Sequence, residues 1–265
     1  MNLTSQTSLR RLARQLLTIA SPQEKAQAIR QLTPGILTID AIEILTEITG
    51  IPGRSEHLTL VHPSLLKARA VGTREGRASL IHSLAHIEAN AINLALDILW
   101  RFDGMPESFY RDWFQVAMEE ALHFELLYTH LKEIGFEYGD FPAHDGLWEM
   151  AEKTKGDLLA RLALVPRTLE ARGLDATPAI KNKLISVGDR PGANILDIIL
   201  RDEIGHVAIG NRWYRYLCQS KGMDHISTFT TLSKQYGARK LLGPFNLEAR
   251  RAAGFDEAEL ALLGS

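Results

Sequence analysis

Two copies of a four-residue motif, Glu-x-x-His, lie far apart in this chain, at 120–123 and 203–206. Positions i and i+3 share one face of a helix, so each copy aims a carboxylate and an imidazole at the same point. A lone glutamate precedes each motif: Glu88 lies 32 residues before Glu120, and Glu170 lies 33 before Glu203. Four carboxylates and two imidazoles inside a four-helix bundle are the ligand set of a dinuclear carboxylate site. The spacing therefore predicts two metal ions held by Glu88, Glu120, His123, Glu170, Glu203 and His206.

The nearly equal spacings have a geometric reason in an antiparallel helix pair. The turn at 103–106 (Asp-Gly-Met-Pro) lies about midway between Glu88 and Glu120, so both glutamates reach the same height. From His123 to Glu170 the chain runs 47 residues, enough for the rest of one helix, a crossover and much of the next helix. One long crossover is the connectivity of ferritin-like bundles.

The helix faces around these residues favour a metal site over a solvated surface. A Glu-x-x-His motif arises by chance on many exposed helices, but here the candidate ligands lie in apolar stripes. Charged side chains are rarely buried unless they are paired or bind a metal. The alternatives are a buried ion-pair network or a vestigial site. The apolar neighbours are Leu84, Ala91, Ile92, Ala95 and Leu99 around Glu88; Trp113, Val116, Ala117, Phe124, Leu127 and Leu131 around Glu120; and Ile195, Ile199, Val207, Gly210 and Leu217 around Glu203.

An acidic residue stands directly before each motif glutamate, Glu119 in the first copy and Asp202 in the second. One step along a helix turns a side chain by about 100°, so these acids point sideways toward a neighbouring helix. A carboxylate there can accept the second ring N–H of a ligand histidine and fix its orientation. We predict that Asp202 does this for His123 and Glu119 for His206.

The ligand pattern resembles that of the ferritin-like di-metal carboxylate superfamily. More closely, most of the chain resembles a bacterial family of unknown function within it, in the segments 169–175 (LEARGLD), 199–211 (ILRDEIGHVAIGN) and 242–246 (LGPFN). The resemblance implies a ferritin-like four-helix bundle with a dinuclear centre. Iron is the expected metal, and manganese or a mixed iron–manganese pair is the alternative. The resemblance implies no substrate.

Three classes of function stay open. The one we favour is an oxidoreductase in which a di-iron site activates O₂ or peroxide to oxidise or hydroxylate an unknown substrate. A ferritin-like tRNA hydroxylase shares the ligand pattern, which favours hydroxylation by analogy. The second class is a ferroxidase or metal-handling protein, for which iron is itself the substrate. The third is a non-catalytic bundle that metal ions only stabilise.

Helical periodicity and breakers predict an all-α fold. The four bundle helices are expected at 77–102, 108–134, 146–172 and 191–220, with further helices at 22–31, 40–49, 226–241 and 256–263 and an irregular stretch at 53–73. Pro166 and Gly173 predict that the third bundle helix is kinked or interrupted near Glu170. Alternatively it ends near Gly173, and a separate helix covers 178–187. The predicted organisation is an N-terminal helical extension (1–75), the bundle (76–222) and a C-terminal helical extension (223–265) within one structural domain.

Composition excludes several other classes. The chain has 265 residues, is 45% hydrophobic and carries a formal net charge of −2, which predicts a sizeable core and no nucleic-acid footprint. The single Cys218 excludes a disulfide framework and is expected to be an inert core thiol. No apolar run reaches the length of a membrane span. We expect a cytoplasmic protein, with a homodimer left open.

Two features admit a second interpretation. The first 23 residues lack acids and hold three arginines, which suits an organelle transit peptide, but four leucines (9, 12, 16 and 17) favour an ordinary amphipathic helix. His82 and His86 have metal-ligand spacing. However, a step of two residues from His86 to Glu88 turns the helix by about 200°, so the pair faces away from the predicted site. We expect both histidines to be core or surface residues without a metal.

Overall fold

The structure is a computed structural model and describes residues 8–67 and 69–263. Within those residues it contains α-helices, short helical turns and two isolated β-bridges, and no β-strand. The predicted all-α fold is confirmed. The chain divides into two compact units, one up to Trp148 and one from Glu149. The division at 75/76 and 222/223 stays a prediction.

The helices are as follows. The first unit contains α1 (Leu9–Leu17), α2 (Pro22–Arg30), α3 (Arg74–Arg101) and α4 (Glu107–Glu133), and α5 (Gly146–Lys153) includes the boundary. The second unit contains α6 (Leu158–Leu164), α7 (Ala171–Ser186), α8 (Arg190–Ser220), α9 (His225–Gln235), α10 (Leu247–Ala252) and α11 (Glu257–Ala261). Two 3₁₀ turns lie at Pro34–Ile36 and Pro63–Leu65, and a π-helical turn at Val165–Glu170 joins α6 to α7.

In the first unit, α3 and α4 form a helical hairpin that carries three of the predicted ligands. The Thr73 side chain accepts a hydrogen bond from the Gly76 amide (3.0 Å) and caps the start of α3. Gly104 has a φ of +73°, a left-handed conformation that favours glycine, and lets the chain reverse between the helices. α1 packs against α3, and α2 packs against α4. Both predicted bundle helices are confirmed to within three residues.

The two N-terminal helices also follow the sequence. The four leucines that define the amphipathic pattern are all buried in α1, which confirms the helix. The Ser21 side chain accepts a hydrogen bond from the Glu24 amide (3.2 Å) and caps α2, with Pro22 in its first turn. None of the helices described above combines the length and apolar character that crossing a lipid bilayer requires.

The predicted helix at 40–49 is wrong, because this stretch forms turns and irregular structure. Its carbonyl groups accept hydrogen bonds from arginines of α1 and not from a helical backbone. Arg10 Nη1 donates to the Glu43 carbonyl (2.5 Å), and Arg14 Nη1 donates to the Thr46 carbonyl (2.7 Å). Ile42 is 81% exposed, so no apolar helix face is buried here. Tertiary hydrogen bonds override the local pattern.

The predicted third bundle helix begins as two separate helices. α5 ends at Lys153. Arg161 Nη2 donates to the Ala151 carbonyl (2.6 Å), one of the last carbonyls of α5, which have no hydrogen-bond donor within the helix. The Asp157 side chain then accepts from the Ala160 amide (3.1 Å) and caps α6. This break was not predicted from the sequence.

Near Glu170 the third helix is kinked, as one of the two alternatives predicted. The π-helical turn interrupts the regular pattern, and α7 then continues through Gly173 and Pro178 to Ser186. The alternative, a helix end near Gly173, is wrong. Helix 191–220 is confirmed by α8. The helix expected at 226–241 is shorter, as α9 ends at Gln235, and α10 was not predicted.

Candidate metal centre

Glu88 on α3 meets Glu120 and His123 on α4, as the equal arms of the hairpin predict. The candidate ligand atoms of these three residues all lie within 4.8 Å of one another. His123 Nδ1 lies 3.3 Å from Glu120 Oε2 and 3.5 Å from Glu88 Oε2. No side chain of the three is more than 5% exposed. We call these residues the α3–α4 triad.

The ionisable groups of the triad are buried away from solvent. Burial and the neighbouring charge of Glu120 raise the pKa of the Glu88 carboxyl well above its usual range. Burial lowers the pKa of His123, but hydrogen bonds and charges from Glu120 and Glu88 outweigh it and raise that pKa to about 11. Protons therefore offset the charge of the triad when no other cation does so.

The donor set of the triad fits a metal cation. Two carboxylates and one imidazole are ligands that iron and manganese accept in proteins. Glu88 Oε2 is buried, and its contact with His123 Nδ1 is long (3.5 Å), which leaves room for a cation as a closer partner. His123 Nδ1 faces both carboxylates, so a metal ion and a proton would compete for the same atoms. A buried Glu/His cluster that could hold a metal is thus present.

The second motif copy lies on α8 in the second unit. Glu203 and His206 are one helical turn apart and both are buried, and His206 Nδ1 lies 3.6 Å from Glu203 Oε1. Glu170 is the last residue of the π-helical turn and is partly buried. Among the described residues of this unit, Glu170, Glu203 and His206 do not form a group whose ligand atoms all lie within 4.8 Å. The structure thus brings Glu203 and His206 together, but it does not place Glu170 with them in a group of this size.

A proline explains the π-helical turn that ends at Glu170. Pro166 has no backbone N–H, so the regular i to i−4 hydrogen bond cannot form there. Within the same turn, the Thr168 hydroxyl donates to the Ala163 carbonyl, five residues earlier (2.8 Å). The Pro166 ring packs on Gly210 of α8, where an added Cβ would lie 2.6 Å from Pro166 Cβ. A glycine at 210 is what allows the turn to approach α8.

The two acids that precede the motif glutamates have partners on their own helices. Glu119 Oε1 accepts a hydrogen bond from Gln115 Nε2 (2.9 Å). Asp202 accepts two from its neighbour Arg201, at 2.8 and 3.0 Å. Both acids are partly buried. Their predicted bonds to the ligand histidines stay a prediction.

The other histidine pair is confirmed as core. The Tyr138 hydroxyl donates to His86 Nδ1 (2.8 Å), and His86 Nε2 donates to the His144 carbonyl (3.0 Å). The Gly139 amide donates to His82 Nε2 (2.9 Å). Burial lowers the pKa of both histidines to about 4, so they are neutral near pH 7. Cys218 is buried too, and burial raises the pKa of its thiol, which fits an inert role.

Five cationic side chains are buried that the sequence did not predict: Arg10, Lys25, Arg161, Arg167 and Arg250. Lys25 Nζ donates to Asn93 Oδ1 (2.5 Å), and burial lowers the pKa of this lysine to about 7. Arg167 lies in the π-helical turn, and its side chain is only 2% exposed. For Arg167 the available signal was its place directly after a mostly apolar run, 158–166.

Comparison with known proteins gives a family and no reaction. A family model described as "protein of unknown function (DUF455)" matches residues 18–261. A Haemophilus influenzae protein described as uncharacterized is 46% identical over 257 residues, which cover 92% of this chain and 89% of that protein. No solved structure matches the chain.

Proposed function

The chain belongs to this DUF455 family of proteins of unknown function, and we propose that it is a dinuclear metal protein with a ferritin-like four-helix core. In this proposal two metal ions, expected to be iron, are held by Glu88, Glu120, His123, Glu170, Glu203 and His206. The reaction we propose is the oxidation or hydroxylation of a substrate with O₂ or peroxide.

The α3–α4 triad is the observation that carries this proposal. A helix pair that buries two carboxylates and an imidazole within 4.8 Å of one another has a large desolvation cost. The faces around them are apolar, and Val116, Ala117 and Phe124 are all buried beside the triad on α4. A divalent cation offsets that cost, because it neutralises both carboxylates and accepts the imidazole as a ligand.

Charge balance supports two ions for the complete set. Four ionised glutamates carry a charge of −4, which two divalent cations cancel while the two histidines stay neutral. When bound, two iron ions would supply the electrons that reduction of O₂ or peroxide requires. The protein's own part is to fix the six ligands and to keep water from the apolar side of the site.

An iron-loading experiment tests the function. The protein is loaded anaerobically with Fe(II) and then exposed to O₂, and the reaction is followed by absorbance and Mössbauer spectroscopy. We expect two irons per chain, a Mössbauer spectrum of a coupled pair after O₂, and oxidation faster than that of free Fe(II). Iron that oxidises at the protein-free rate, or that gives isolated ions, would contradict the proposal.

The same experiment separates the alternatives. Accumulation of many irons per chain would indicate a metal-handling protein, while two irons that bind but never react with O₂ would indicate a metal that only stabilises the fold. Glu120→Ala removes a central ligand and should leave at most one iron per chain. Glu133→Ala is the matched control, because Glu133 ends the same helix with a side chain that is 66% exposed.

A further inference from the structure

We propose that residues 246–261, which we call the C-terminal clamp, position Glu170 as a metal ligand by holding the π-helical turn in place. The clamp contains α10 and α11. The positioning residues are Arg167 of the turn, which contacts the clamp from a position before Glu170, and Arg250 of the clamp, which contacts Ala171 and Asp175 after it. The inference rests on the proposed metal site, since Glu170 has a role only if that site exists.

Arg167 connects the π-helical turn to the clamp. Its Nη2 atom donates to Glu259 of α11, and Glu259 also binds Arg215 of α8. Arg167 Nε donates to Asn211 Oδ1 (2.5 Å), and Asn211 Nδ2 donates in turn to the Ala253 carbonyl (2.7 Å), directly after α10. The turn, α8 and the clamp thus share one buried hydrogen-bond network.

The surroundings of Arg167 fix its orientation. Its guanidinium carbon lies 4.1 Å from the ring centroid of Tyr214 and 5.3 Å from those of Phe229 and Phe255. Burial lowers the pKa of this arginine, although the charge of Glu259 opposes the effect. A buried guanidinium is costly unless its partners are well placed. Removing Glu259 would therefore leave an uncompensated charge three residues from Glu170.

Arg250 holds the chain on the other side of Glu170. It donates to both carboxylate oxygens of Asp175, at 3.0 and 2.6 Å, and to the Ala171 carbonyl (3.4 Å). Ala171 follows Glu170 directly. The fork geometry of a bidentate arginine fixes both distance and angle.

Asn246 completes the clamp at a second proline. Pro178 cannot donate to the Leu174 carbonyl four residues earlier, and Asn246 Nδ2 donates to that carbonyl instead (3.2 Å). The backbone N–H of Asn246 also donates to Asp175 Oδ1 (2.9 Å). The start of α7 therefore keeps its helical path with help from the clamp. An apolar cluster shared by α7, α8 and α10 lies beneath these bonds: Ala171, Leu174, Val207, Ala249 and Ala253.

The consequence is a ligand whose position depends on distant residues. Glu170 ends a π-helical turn, a form that is less regular than an α-helix and is commonly found at functional sites. Metal ligands need supporting contacts to hold their geometry, and loss of such contacts typically costs about 10–100-fold in metal affinity. The clamp supplies those contacts on both sides of Glu170.

Glu259→Gln tests the clamp, because it keeps the shape of the side chain and removes its charge. Glu257→Gln is the matched control on the same helix, where Glu257 forms an exposed ion pair with Arg251. Two quantities are measured: hydrogen exchange of the amides at 165–171 in metal-free protein, and the number and affinity of bound Co(II) ions by titration and absorption spectroscopy. Arg167→Lys is measured beside it, because lysine keeps the charge but lacks the fork and leaves Glu259 in place. Glu259 lies with His225 and Asp256 in a group whose ligand atoms are within 4.8 Å of one another and could bind Co(II) directly, so only an effect shared by both variants reports on the clamp.

We expect faster exchange at 165–171 in both Glu259→Gln and Arg167→Lys, and at least tenfold weaker binding of one of two Co(II) ions in both, with a changed spectrum. The control should match the parent protein in both measurements. Parent-like exchange at 165–171, or parent-like binding of both ions despite faster exchange, would overturn the clamp. If the parent protein itself binds no metal, the proposed function fails, and the positioning role assigned to the clamp fails with it. In that case faster exchange in the variant would show only a structural contact.

Discussion

Gly210→Ala should destabilise the protein although alanine is the better helix former. The new Cβ would lie 2.6 Å from Pro166 Cβ and 2.9 Å from Pro166 Cγ, where nonbonded carbons normally lie about 3.5–4.0 Å apart. Neither side yields easily, because one is a proline ring and the other a helix backbone. Overpacking of this kind costs about 1–3 kcal/mol, while replacing glycine by alanine in a helix gains about 0.5–1 kcal/mol. The difference runs from about 0 to about 2.5 kcal/mol, and because both neighbours are rigid we expect a net loss in the upper half of that range.

The control for this substitution lies on the same helix. Gly205 is exposed, and an added Cβ there meets no described atom within 4 Å. Gly205→Ala should therefore show only the gain in helix propensity. Urea unfolding of the metal-free parent and both variants, followed by circular dichroism, measures the difference. If Gly210→Ala is as stable as Gly205→Ala, the close approach of the π-helical turn to α8 is wrong.

Three further outcomes are expected. In protein shown to carry metal, chelation should lower the melting temperature, because an ion that binds only the folded state stabilises it by mass action; an unchanged melting temperature would contradict this. Asp202→Asn and Glu119→Gln should weaken metal binding or metal oxidation about 10–100-fold without unfolding the protein, because each variant loses the charge that is expected to orient a ligand histidine. Metal titrations that match the parent protein would show that both acids only interact with solvent and do not support the site. Relative to Lys25→Met, the parent should gain roughly 3 kcal/mol of unfolding free energy from pH 7 to pH 9.5. The reason is that folding lowers the pKa of Lys25 from 10.5 to about 7, so the unfolded state binds more protons in this range; a pH-independent difference would refute it.

The sequence predicted the helices that carry the motifs because their signals are local. Apolar periodicity and the Gly104 turn define α3 and α4, and the equal arms between Glu88 and Glu120 predict that the two glutamates meet. The structure confirms this meeting within the first unit. The kink before Glu170 was predictable too, because Pro166 cannot donate a backbone hydrogen bond.

What the sequence could not predict depends on partners far away in the chain. The segment 40–49 has a helix-like pattern, but its carbonyls accept hydrogen bonds from the guanidinium groups of Arg10 and Arg14 and not from a helical backbone. Likewise α7 continues past Pro178 because Asn246, 68 residues later, satisfies the carbonyl that the proline leaves. Hydrogen bonds of this kind leave no periodic signal, so they become visible only in the folded chain.

Metal content tests the central claim most directly. Purified protein is saturated with Fe(II) or Mn(II) without O₂ and freed of unbound metal. The number of ions per chain is then measured for the parent, Glu120→Ala and Glu133→Ala by inductively coupled plasma mass spectrometry. We predict two ions in the parent and in Glu133→Ala, and at most one in Glu120→Ala. A parent that holds no metal, or a Glu120→Ala variant that still holds two ions, would contradict a dinuclear site built on the α3–α4 triad.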